Sequence, residues 1–153
     1  SLFKGVELIG LSAGGVLSGW LVNRRNWIAV VSISAIAMSL LMILIPAIPC
    51  LPEKPVQIVC LMTLIGLIGI AGGLVLIPVE SEIQMRPAPA IKGTIIASAN
   101  FVVFGGIFIS SFLSNFLNKY WLPTTAFGIV GVFSLASAIA LAWGYRRFRR
   151  LSV

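Results

Sequence analysis

Five long apolar stretches, almost empty of charge, decide what this chain can fold into. They cover 5–22, 27–45, 56–79, 94–117 and 122–145. A helix rises about 1.5 Å per residue and needs about 20 apolar residues to cross about 30 Å of hydrocarbon. Each stretch meets that requirement. The first contains one charge, Glu7, and the other four contain none. A soluble core helix seldom stays apolar all round for so long. Strands are excluded because the stretches show no period-two alternation, and a backbone in lipid must satisfy its hydrogen bonds within a helix or a closed barrel.

The predicted fold is therefore an all-α polytopic membrane protein with five transmembrane helices in a single region, 1–153, that ends in a basic tail over 146–153. Composition agrees: 59% of residues are hydrophobic and 10% are charged, with a mean hydropathy of +1.08. Water is the wrong solvent for such a surface. The first stretch is not a cleavable signal peptide, since it lacks a basic leader and a small-residue cleavage site, and four more stretches follow it. The chain begins with Ser1 rather than a start methionine, so further residues are expected upstream.

There is no His and no Asp, which removes the Ser/His/Asp triad, histidine-dependent acyl transfer and most zinc sites. The two cysteines, Cys50 and Cys60, read as small apolar residues near a membrane boundary. The expectation is a chain that is not an enzyme and carries neither metal nor cofactor.

The net charge of +7 does not point to nucleic acid, because the basic residues sit in short segments between apolar spans rather than on one basic face. Arg24, Arg25, Arg86, Lys92, Arg146, Arg147, Arg149 and Arg150 fall on one side of the predicted topology, whereas Lys4, Lys54 and Lys119 fall on the other. The positive-inside rule then puts the N-terminus outside and the C-terminus in the cytoplasm. All six Trp and Tyr residues lie at span borders, as an interfacial belt requires. The proline-rich segment 46–55 reads as a rigid extended turn on the outer side. Pro78 reads as a kink or end of the third span.

Between helices in lipid, close backbone approach through small residues carries much of the association. Gly10, Gly14, Gly15 and Gly19 give the first span that surface, and the third has Gly66, Gly69, Gly72 and Gly73. Two readings remain open for them: static packing, or a surface along which helices slide during a conformational change.

The stretch 15–25, GVLSGWLVNRR, resembles a degenerate copy of the loop motif of the major facilitator superfamily. Gly19 stands at its acidic position, and Arg24 and Arg25 keep its basic end. A second stretch, 72–101, is similar to the helix ten to eleven region of the bacterial lysophospholipid transporter branch, which includes transporters fused to phospholipid acyltransferases. Gly72, Gly73, Pro78, Gln84, Lys92, Gly93 and Asn100 carry that likeness. It implies helices eight to twelve of a twelve-helix carrier of two six-helix halves, working by alternating access around a midplane site. The partners it implies are the bilayer, the remaining helices or a second chain, and a lysophospholipid substrate.

Several residues could serve such a carrier. Glu7 reads either as an outer-edge residue reaching solvent beside Lys4, or as a cavity carboxylate for a cationic head group or proton coupling. Asn100 must face other helices or an aqueous cavity, as helix glue or a substrate contact. Glu80 and Glu82 can face Arg24, Arg25 or Arg86, as solvated loop charges or as a cytoplasmic gate. The expected function is transport of an amphiphilic small molecule, such as a lysophospholipid, by a chain that forms part of a secondary transporter. The alternative is a structural or anchoring module of a larger phospholipid acyltransferase. A channel fits less well, because no ring of charges or filter-like loop is visible.

Overall fold

The computed structural model describes residues 2–22 and 27–151, and nearly all of that backbone is helical. The helices are α1 (Leu2–Leu21), α2 (Trp27–Leu44), α3 (Lys54–Met85), α4 (Lys92–Tyr120) and α5 (Pro123–Leu151). An all-α bundle of five helices thus stands where five apolar stretches were expected. Four segments are long and apolar enough to cross a membrane: Trp27–Cys50, Lys54–Met85, Lys92–Leu117 and Thr124–Gly144. Helix α1 is not among them. Within its 20 residues it carries two charges, Lys4 and Glu7, and five glycines.

The chain breaks where its chemistry demands it, with two corrections to the sequence reading. The first concerns the proline-rich segment. It is not an extended turn throughout, because Ile45–Cys50 continues α2 as a 3-10 helix with Pro46 in its first turn. The proline ring holds φ at a helical value, so Pro46, and Pro49 inside the same segment, are accommodated by tightening the end of the coil although each gives up an N–H. Only 51–53 lie outside a helix before Lys54 opens α3, and Gln57 Nε2 steadies this bend by donating to the Leu51 carbonyl at 2.6 Å.

Pro78 is the second correction. Helix α3 does not end at it but runs on to Met85 with Pro78 inside and buried. The residue can donate no hydrogen bond to the carbonyl of Leu74, yet in a helix packed on its neighbours that loss does not stop the coil.

Two helix pairs make the core. Helices α1 and α3 run parallel: Val6 meets Gly66, Gly10 meets Gly66 and Gly69, Gly14 meets Ile70, and Gly15 meets Ile77. Helices α2 and α5 run antiparallel, with Ser39 against Ser134, Ile43 against Gly131 and Pro46 against Gly128. Helix α2 also packs on α3, and Leu44 and Ile48 line a cavity together with Val59 and Thr63. Helix α4 packs only lightly, on α3 and α5, and within its candidate span no residue of the most apolar window is buried. Its phenylalanines Phe101, Phe108, Phe112 and Phe116 recur at helical spacing and are all exposed. Such a face is compatible with lipid.

Candidate functional site

The glycines of α1 and α3 interlock. A Cβ on Gly10 would run into the Gly66 carbonyl oxygen, and one on Gly14 into the Ile70 carbonyl oxygen. From the other side, a Cβ on Gly69 would lie 2.6 Å from the Glu7 carbonyl oxygen, and one on Gly73 would lie 2.7 Å from the Gly15 nitrogen. Backbone touches backbone, so nothing larger than hydrogen fits. Gly15 is less constrained: its own Cβ would meet only the side chain of Ile77, at 3.4 Å. Gly19 looks onto open space, as do Gly105 and Gly106.

This register sets the depth of Glu7. Gly69, its neighbour, lies fifteen residues after Lys54 and eleven before Glu80. At 1.5 Å per residue those separations are about 22 Å and about 16 Å, so Gly69 sits near the middle of the apolar part of α3. Glu7 therefore lies level with the middle of α3.

At this depth α1, α2 and α3 enclose a cleft of about 370 Å³. Lys4 and Glu7 line it from α1 and Met38 from α2, with Ile68, Gly69 and Gly72 from α3. Met38 lies eleven residues from Trp27 and twelve from Cys50, which places the same level at the middle of α2. Lys4 and Glu7 are three residues apart and so share one face of α1. Both are exposed, and among the described residues neither forms an ion pair. Met38 and Lys4 were not singled out from the sequence as site residues. Lys4 was legible as a neighbour of Glu7, while no spacing signal marks Met38.

The other candidates lie elsewhere. Asn100 is exposed on α4 and does not line the cleft. The light packing of α4 leaves it outside the three-helix contact. Farther along that helix, Ser110, Ser111 and Asn115 line an open concavity of about 750 Å³ together with Gly106. At the opposite end of the bundle, Arg86 Nε stands 3.4 Å from Glu82 Oε2, one turn apart on the same helix. This pair is local to α3 and links no two helices. Glu80, two residues before Glu82, is half-buried, and Arg24 and Arg25 lie outside the described residues.

Polar groups elsewhere in the core are matched. Ser39 is fully buried; its Oγ donates to the Ala35 carbonyl at 2.8 Å and lies 2.8 Å from Ser134 Oγ on α5. Ser18, also buried, donates to the Gly15 carbonyl at 2.7 Å. Among the described residues no group of His, Cys, Asp or Glu could hold a metal ion.

No protein-family model, no curated protein and no solved structure matches this chain. The functional reading accordingly rests on the cleft and its charges.

Proposed function

We propose that this chain forms part of a secondary transporter that moves an amphiphilic small molecule, of the lysophospholipid class, by alternating access. The observation that carries the reading is that Glu7 and Lys4 line one cleft between three helices, level with the middle of α3. A charged group near a bilayer centre costs on the order of 2.5–3.5 kcal/mol on insertion scales, and such residues mark substrate or ion paths. Carriers of this kind bind at the midplane, between elements that rock around the site. The interlocked α1–α3 contact fits a body that moves as one piece, and the cytoplasmic side is assigned to the end bearing Glu82 and Arg86. In this reading α1 turns its two charges into the cleft, which makes them tolerable in lipid.

The test is uptake of a radiolabelled amphiphile into membrane vesicles from cells producing the complete gene product. Glu7→Gln should lower saturable uptake severalfold at unchanged protein level. Uptake equal to that of the wild type would remove Glu7 from the path and leave the reading without its support.

A further inference from the structure

We draw no further inference here: the strongest candidate, the open concavity along α4 lined by Gly106, Ser110, Ser111, Ser114 and Asn115, is an unpartnered helix face of small and polar residues, and nothing in the structure shows what covers it.

Discussion

Gly69 on α3 lies against Glu7 on α1 so closely that a Cβ there would stand 2.6 Å from the Glu7 carbonyl oxygen. That contact couples packing to chemistry. The glycine admits the α1 backbone, the approach fixes the register between two parallel helices, and the register holds a carboxylate level with the middle of α3. A side chain at 69 would disturb both the packing and the position of the charge.

The first prediction separates two glycines of one helix. Gly14→Ala directs a methyl group into the Ile70 carbonyl, whereas Gly19→Ala adds the same methyl in open space. Overpacking of a close contact costs about 1–3 kcal/mol, and Gly19→Ala should fall within about 0.5 kcal/mol of wild type. Unfolding in mixed micelles, followed by circular dichroism, measures both. Equal effects would show that α1 does not meet α3 at Gly14.

A second prediction concerns the hydroxyl pair between α2 and α5. Ser39 and Ser134 stand 2.8 Å apart with Ser39 fully buried. Interhelical hydrogen bonds in membranes average about 0.6 kcal/mol in double-mutant cycles. Ser39→Ala and Ser134→Ala should therefore couple by about that amount in a thermal or denaturant series. Strictly additive losses would mean that the two hydroxyls do not bond across the interface.

Orientation yields a third. Cys50 is exposed at the end of the bundle that carries Lys54, while Cys60 is partly covered six residues into α3. With the N-terminus outside, a membrane-impermeant maleimide should label Cys50 in intact spheroplasts and leave Cys60 largely unmodified. Labelling of Cys50 only after lysis would invert the topology.

The helices themselves were legible because a span needs nothing but length and an absence of charge, and the sequence displays both over the apolar stretches. Register between helices was not. Gly14 and Gly19 look alike along the chain, but one touches the Ile70 backbone and the other touches nothing, because helix crossing selects which turn of α1 is inside. The level of Glu7 relative to α3 follows from that register and so could not be read from the sequence. Pro78 and Pro46 were readable as missing donors, yet the neighbouring structure decides whether a missing donor ends a helix. The Ser39–Ser134 pair spans ninety-five positions, and no local pattern announces it. Glu82 and Arg86, by contrast, lie at the i,i+4 spacing that one helix turn brings together.

A fourth prediction tests the cleft without any ligand. Glu7 and Ile9 are close neighbours on α1, but Glu7 lines the cleft and Ile9, 72% exposed, is not among its lining residues. On a background with Cys50→Ser and Cys60→Ser, cysteine at position 7 should react with a charged methanethiosulfonate reagent, because a cleft that holds Lys4 and a carboxylate is wet at mid-depth. Cysteine at position 9 should react at least about tenfold more slowly, since a thiol against hydrocarbon is seldom ionised and the thiolate is the attacking species. The second-order rate constants, taken in vesicles by back-titration with a fluorescent maleimide, give the comparison directly. Equal rates at both positions would place this face of α1 in water throughout and dissolve the cleft as a separate compartment. Slow reaction at both would close it to water and leave Lys4 and Glu7 without the hydration that makes two unpaired charges tolerable there.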